Sequence, residues 1–529
     1  MKTVVSRVFC FLTMMLSCFF ATAQEAVLQQ PMDWKGELRN MYPIKNEPSG
    51  KICFVFLTPR AIYAQLLNEA MQPEKTLSLE TTEVQQQLGT IVGNFVNGDS
   101  YVLVGSPNAP GESYLYLNVN FATGKIEFNN RMKLSIPEDE EVLSSFSENR
   151  KFYVLSVFKR LPALRLRQVE KIGVPVMKAF DLPEVALSKK HKDLHGYLRK
   201  DDVDYNPFNK VPADPSGGSL SVSVARHKLY FQNEEIILTI DKISEGTNVL
   251  VLNLKEGKAR FKQVNYPTLN CTVASEGDLK ENSFLYQNYL FQIRTCPSGA
   301  AIHVADFTVG TVLKKFFFSG RDTIAFQNSP FVFRKAGREL DQVEPFYRFA
   351  VRMPSYEPFQ KAKIKEQQLE STQKFMAKML DYQPSIAARM NTNDQIEMII
   401  GGQDAVELTG PVWGTGGGGP TMVGGSPGFS TPYGNVPASP GRMVYNPTYG
   451  IIRSTVGSNS VFFKSILNKQ DLEHQDAEVT PQPYDQLQND LKKQFDDKAF
   501  KAETIFYFNN AFYLSTYNKD TRQFLIYRY

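Results

Sequence analysis

Tyr114–Phe128 (YLYLNVNFATGKIEF), Val249–Phe261 (VLVLNLKEGKARF) and His303–Phe316 (HVADFTVGTVLKKF) are three versions of one phrase. Each has an alternating apolar run, a polar turn holding Gly124, Gly257 or Gly310, and a second alternating run. Alternation at a period of two marks a strand with one face hidden, and glycine supplies the positive φ that tight hairpins need. A second phrase, an apolar strand, a polar turn and an aromatic strand, stands at Phe95–Leu103, Phe146–Leu155, Val224–Phe231, Leu285–Ile293 and Phe506–Leu514. Joined, the two phrases make a four-stranded antiparallel unit of roughly 45–60 residues, a repeat that hides its faces only by stacking on its neighbours.

The expected fold is therefore all-β, a β-propeller-like ring of about six or seven antiparallel blades with a helical and a Gly-rich insertion. Near the N-terminus Ile52–Leu57, Ile62–Leu67 and Thr76–Leu79 give three strands without a clear first one. At the C-terminus Thr504–Phe508, Phe512–Tyr517 and Gln523–Tyr527 give three more. Two incomplete blades could combine to lock the ring.

Residues 1–23 read as a signal peptide. Lys2 and Arg7 precede the apolar run Val8–Phe20, and Ala21-Thr22-Ala23 is a small-x-small cleavage pattern. The run is short for a membrane span. A rival reading makes Cys18 a lipidated residue, but the apolar run continues past it through Phe19-Phe20. The expected location is exported: periplasmic, cell-surface or secreted. Residues 24–529 are read as one propeller-like domain with no transmembrane span. Its helical insertion at 357–382 is a helix over Gln360–Asp381 with Leu369, Met376 and Leu380 near one face. Its Gly/Pro-rich flexible loop at 403–445 is too poor in apolar surface to fold alone. A strand is expected at Asp394–Ile400 and a short helix at Asp485–Asp497.

The formal net charge is +4, and loss of Lys2 and Arg7 with the leader brings the rest near neutrality, which argues against a nucleic-acid partner. Three cysteines remain after cleavage, in a compartment where disulfides persist. Cys271 and Cys296 flank one strand pair and are the candidate disulfide, whereas Cys53 reads as a buried small hydrophobe.

Several motifs match in letters only. Gly424-Gly425-Ser426-Pro427-Gly428 has the outline of a nucleophile elbow, but Pro427 lacks the N–H an oxyanion hole needs. Gly414-x-Gly416-x-x-Gly419 lacks the strand and helix of a dinucleotide site, and Pro420 stands where a phosphate loop has lysine. Asp202-x-Asp204-x-Asn206 starts like a calcium loop, yet Pro207 and Ala213 occupy its glycine and glutamate positions. His191 and His195 lie in a charged linker, and His227 and His303 lie in strands. The acidic run Glu138-Asp139-Glu140-Glu141 after Pro137 reads as a solvated turn. No catalytic residue, cofactor or metal ligand is assigned. Most of the 38 Phe and 24 Tyr alternate along strands as core, while Trp413 sits in the Gly-rich segment and reads as a partner contact.

The strand phrases, the Gly-rich insertion, Val444-Tyr445-Asn446-Pro447-Thr448 and the terminal hairpins of Phe506–Tyr529 resemble a set of uncharacterised exported, propeller-like proteins of Bacteroidetes-type bacteria. That resemblance implies an exported propeller and no activity. The expected function is a non-enzymatic binding or scaffolding protein of the cell envelope, with an unknown protein or glycan partner. The competing expectation is an extracellular hydrolase using carboxylates around the propeller channel.

Overall fold

The computed structural model describes residues 26–34, 37–81, 88, 91–106, 114–132, 134, 136–173, 175–182, 193–199, 208–243, 245–269, 271, 279–335, 365–404, 421–423, 429–431, 434–436, 442–444, 459–487 and 499–529. These form seven antiparallel sheets of four or five strands that follow one another along the chain, with two two-stranded ladders besides. The first sheet is Asn40–Asn46, Lys51–Leu57, Ala61–Leu67 and Pro73–Glu80. The second is Ile91–Asn97, Ser100–Gly105, Leu115–Asn120 and Lys125–Arg131, and the third Glu140–Glu148, Lys151–Phe158, Ala163–Val169 and Val176–Asp181. The fourth is His227–Gln232, Glu235–Ile243, Gly246–Asn253 and Lys258–Asn265, with Asn209–Lys210 added in parallel to its first strand. The fifth is Lys280–Tyr286, Tyr289–Cys296, Gly299–Asp306 and Val312–Phe318. In the sixth the order across the sheet is Lys365–Leu369, Phe331–Lys335, Ser460–Leu467, Ile396–Gln403, Gln383–Met390. The seventh takes Phe500–Phe508, Ala511–Asn518 and Gln523–Arg528 from the C-terminus and Ala26–Pro31 from the N-terminus.

The turns explain the repeated phrases. Asn149-Arg150, Asn233-Glu234 and Asn509-Asn510 each place two successive residues at positive φ, 48° and 61°, 52° and 58°, and 45° and 57°. That is the two-residue hairpin turn whose twist matches the strands, and asparagine is among the residues that tolerate it best. In the second hairpin Gly124 and Gly257 (φ 67° and 68°) each end a four-residue turn at positive φ.

Each sheet uses both faces. Phe54 and Phe56 of the first meet Phe506 and Phe524 of the seventh, with ring centroids 5.0–5.5 Å apart for three of the pairs. On its other face Ile44, Val55 and Leu66 share a cluster with Leu103 and Leu117 of the second. Phe95 and Val102 join Phe152 and Val154 across the second and third, and Leu155 and Leu166 join Leu238 and Leu252 across the third and fourth. The largest cluster runs from the fourth sheet through the fifth to the sixth, where Phe318, Phe331, Phe375 and Phe463 pack as edge-to-face and stacked rings. Burial on both faces is what the repeat demands.

Several expectations are corrected. The first sheet is complete, because Asn40–Asn46 (NMYPIKN) is its missing strand. Pro43 conceals it from a strand search and is tolerated because this is an edge strand. The three C-terminal strands are completed instead by Ala26–Pro31, which pairs with Gln523–Arg528. Within 357–382 the helix is Thr372–Asp381, capped by Ser371 Oγ, which accepts from Lys374 N. Lys365–Leu369, inside the expected helix, is a strand instead, held by pairing with Phe331–Lys335 that outweighs local helix preference. Asp394 belongs to a turn at φ 56°, and the strand begins at Ile396. Within 403–445, Thr421–Val423 pairs with Arg442–Val444 and Phe429–Thr431 with Gly434–Val436. Of the Asp485–Asp497 region only 485–487 are described, within a helical turn over 483–487. Residues 1–23, Trp413, Ser426, His191 and Asp201–Asn206 lie outside the described residues.

Candidate functional site

The buried charges concentrate in three networks on or beside the edge strands of the sheets. Glu140 opens the third sheet and is the residue the sequence misplaces. Its side chain is fully buried, not solvated. Arg167 donates to Oε2 at 2.7 Å and to Oε1 at 3.1 Å, Arg165 to Oε1 at 2.5 Å, and the Ser156 hydroxyl to Oε2 at 2.5 Å. Burial pushes its pKa up, but these donors outweigh burial and hold the carboxyl below its ordinary value. The register explains the cluster, because Glu140 starts one edge strand while Ser156, Arg165 and Arg167 occupy the next two. The neighbouring Glu141 points to His195, whose Nε2 is 2.6 Å from Oε2.

The second network joins the fourth, fifth and sixth sheets. Lys228 and Asp241 are wholly buried, with Nζ 3.5 Å from Oδ2. Lys228 donates to Asn282 Oδ1 at 2.7 Å. Asp241 accepts from Thr247 (2.8 Å), Tyr266 (2.6 Å), and both the backbone N–H and the hydroxyl of Ser283 (3.0 and 2.8 Å). Asn282 Nδ2 in turn donates to the carbonyls of Ser223, Val224 and Pro384. Ser223 Oγ lies 2.5 Å from Ser385 Oγ. Burial presses the Lys228 ammonium down to about 8 against the upward pull of Asp241. The same burial, with Asp241 beside it, pushes the Tyr266 phenol well up.

The third network links the sixth sheet to the helical turn at 483–487. Arg389 donates to Glu397 Oε1 through Nε (2.9 Å) and to Asp485 through Nη1 and Nη2 (3.1 and 2.6 Å). Lys464 Nζ lies 2.9 Å from Asp485 Oδ2 and 3.1 Å from Glu397 Oε1. Burial opposes ionisation of Asp485, but Arg389 and Lys464 hold its carboxyl far below the usual range. Gly218 is required here, because a Cβ would lie 2.6 Å from Arg389 Cβ and 2.8 Å from the Ala388 carbonyl.

Edge strands of successive sheets touch one another. Asn40–Asn46 contacts Phe500–Phe508 and Ile91–Asn97, Ile91–Asn97 contacts Glu140–Glu148, and Lys280–Tyr286 contacts Gln383–Met390. Lys45 Nζ reaches the Tyr507 carbonyl at 3.0 Å, and Lys210 bonds Ser147 O and Glu148. The segment from Val211 to Val224 runs beside these strands, with its helical turn Leu220–Ser223 on Ala387 and Ile399 of the sixth sheet. Chemically, these groups fasten strands. Among the described residues Glu140, Asp241 and Asp485 each have cation or hydroxyl donors within 3.5 Å, and no three His, Cys, Asp or Glu side chains are placed to hold a metal.

Cys271 and Cys296 are bonded, their Cα atoms 6.5 Å apart, and Cys53 is free and buried. His303 lies in the third strand of the fifth sheet. Burial first and Lys315 second press its imidazole below the usual value. Lys228, Asp241 and Asn282 escape a reading of the sequence because each stands beside other polar letters towards a strand end, where little local marks it as buried. The available signal is an Asp directly after Ile236–Ile240 (IILTI), where a strand continues.

No family model and no curated protein matches the chain. Solved structures that it is similar to include a mutant of the Synechocystis apocarotenoid oxygenase, at 9% identity and TM-score 0.28, covering 55% of this chain and 64% of that one. A chimera of apocarotenoid oxygenase and RPE65 gives 8% and 0.27, with 54% and 63% covered. Prolyl oligopeptidase B from Galerina marginata gives 10% and 0.26, with 68% and 46% covered. The chain spans less than two thirds of the length of each, and at these TM-scores none bears on its fold or chemistry. No helix among the described residues is long and apolar enough to cross a membrane.

Proposed function

We propose that the seven sheets are the blades of a β-propeller closed by the strand Ala26–Pro31, and that the protein is an exported, non-enzymatic binding or scaffolding module of the cell envelope. The observation that carries this reading is the fate of the buried acids. A hydrolase on such a frame needs two carboxylates facing each other across open space at about 5–9.5 Å, one of them free to move a proton. Here Glu140, Asp241, Glu281 and Glu397 are committed to Arg165 and Arg167, to Lys228, to Arg294, and to Arg389 and Lys464. Cations at such distances hold the carboxylates in place. The segment Val211–Val224 also occupies space beside the edge strands. What the frame offers a partner is its outer surface.

Export is supported by the leader at 1–23, by the bonded pair Cys271–Cys296 and by the resemblance to exported proteins. The test is cross-linking capture from an envelope extract with the tagged full chain, run beside turnover assays on polysaccharide and peptide substrates. A partner recovered in fixed ratio, with no turnover, is the expected result. Turnover abolished by Glu140→Gln or Asp241→Asn in a folded variant would defeat the proposal.

A further inference from the structure

The fifth sheet ends on an unusual last strand. Among the described residues Val312–Phe318 (VLKKFFF) is paired on one side only, with Gly299–Asp306. Its outward row is Leu313, Lys315 and Phe317, and the turn before it adds Val309. Leu313 is 48% exposed, Phe317 59% and Val309 72%. The row reads apolar, cation, apolar over about 13 Å of strand. Lys314, on the opposite face, is taken by Glu473. His303 stands beside Lys315 on the neighbouring strand, and its depressed pKa keeps it from adding a second charge. Single exposed apolar side chains are ordinary. An alternating row on an edge with unpaired backbone is a template for another strand.

The sixth sheet supplies the precedent. Phe331–Lys335 (FVFRK) is likewise aromatic and basic, and it carries a fifth strand, Lys365–Leu369, on its outer side. Glu366 stands opposite Arg334, whose Nε donates to Oε1 at 2.9 Å, and Leu369 stands opposite Phe331. We propose that the free edge of Val312–Phe318 accepts an extended segment of a partner protein, one with an acidic residue between apolar ones, as a fifth antiparallel strand. This rests on the binding reading above and names the class of partner. Backbone pairing supplies the affinity, Lys315 selects the charge, and Leu313 and Phe317 cover the flanking apolar positions. A second copy of the same edge fits poorly, because antiparallel pairing centred there sets Lys315 against Lys315.

The test uses the full chain and three labelled eight-residue peptides in fluorescence anisotropy. One alternates threonine and valine about a central glutamate, one carries lysine in its place, and one is the glutamate peptide N-methylated at alternate backbone amides. The glutamate peptide should bind about fivefold or more tighter than the lysine peptide, Lys315→Glu should invert that order, and N-methylation should abolish binding. Phe317→Ser should weaken both peptides, with unchanged circular dichroism showing that the variants fold. No binding, or binding indifferent to Lys315→Glu and to N-methylation, overturns the proposal. So does sedimentation with phosphatidylglycerol vesicles that replaces any peptide preference, or a dimer that depends on Phe317. Envelope capture separates the two levels. Equal recovery by wild type and Lys315→Glu refutes the edge and leaves the binding role standing, whereas no recovery by either, with the peptide preference intact, supports the edge and refutes the envelope role.

Discussion

Replacing Lys228 by methionine makes the cost of a buried ammonium measurable through its pH dependence. In the folded protein burial lowers this group to about 8, from an ordinary value of 10.5. Below pH ~8 both folded and unfolded chains hold the proton, and the folded state bears the burial penalty. Between about 8 and 10.5 the unfolded chain binds more protons than the folded one, so the Lys228 contribution to stability rises with pH. From about pH 7 to about pH 9.5 the gain is roughly 2 kcal/mol, because a difference of one bound proton between the two states is worth about 1.36 kcal/mol for each tenfold fall in proton concentration. Arg226 works in the same direction as burial, and Asp241 works against it. Lys228→Met lacks the titration. At about pH 7 it also lacks the burial penalty that wild type bears. The gap, taken as wild-type stability minus that of the variant, should rise by about 2 kcal/mol as the pH is raised from about 7 to about 9.5. The assay is urea unfolding of both proteins across that range, read as the difference, so that tyrosines and other shared groups cancel. A gap that stays flat or falls with rising pH would refute the burial argument.

Arg167→Met should destabilise the third sheet by about 3–5 kcal/mol by leaving Glu140 buried with one guanidinium fewer, and Glu140→Gln combined with it should recover part of the loss; denaturant midpoints check both. Cys271→Ser with Cys296→Ser opens a bridge whose partners are 25 residues apart and should cost roughly 3–4 kcal/mol in the chain-entropy model, seen as a lower unfolding midpoint that matches wild type under reductant. Phe375→Ala should cost about 3–5 kcal/mol, since its ring packs on Phe318, Phe331 and Phe463. Calorimetry that finds it silent would contradict the continuous core drawn across the fifth and sixth sheets.

The strand pairs that carry the repeated phrases are legible because two local rules agree there: alternation names the strand, and Asn or Gly at positive φ names the turn. Asn40–Asn46 is not, because a proline and a lysine interrupt its pattern and only an edge position makes them harmless. Lys365–Leu369 (KEQQL) has helix-forming letters, and pairing with Phe331–Lys335, well before it in the chain, decides its form. Glu140 is misread for a related cause. Glu138 and Asp139 before it belong to a turn, whereas Arg165 and Arg167, which make its burial tolerable, come from a strand that follows later. The networks around Lys228 and Arg389 are assembled from separate parts of the chain, so no local pattern announces them.

The pairing of Ala26–Pro31 with Gln523–Arg528 has a consequence for how the molecule is made. Gln29 donates to Gln523 across 494 positions of sequence. A strand that the ribosome releases ahead of the first sheet therefore waits for one released after the sixth, and six sheets can assemble before the seventh has its last member. Loop closure over such a distance is slow compared with hairpin formation. Until it happens, the edge of Gln523–Arg528 stands bare, and the interval before closure is when a nascent chain is most exposed to proteases and to its own kind.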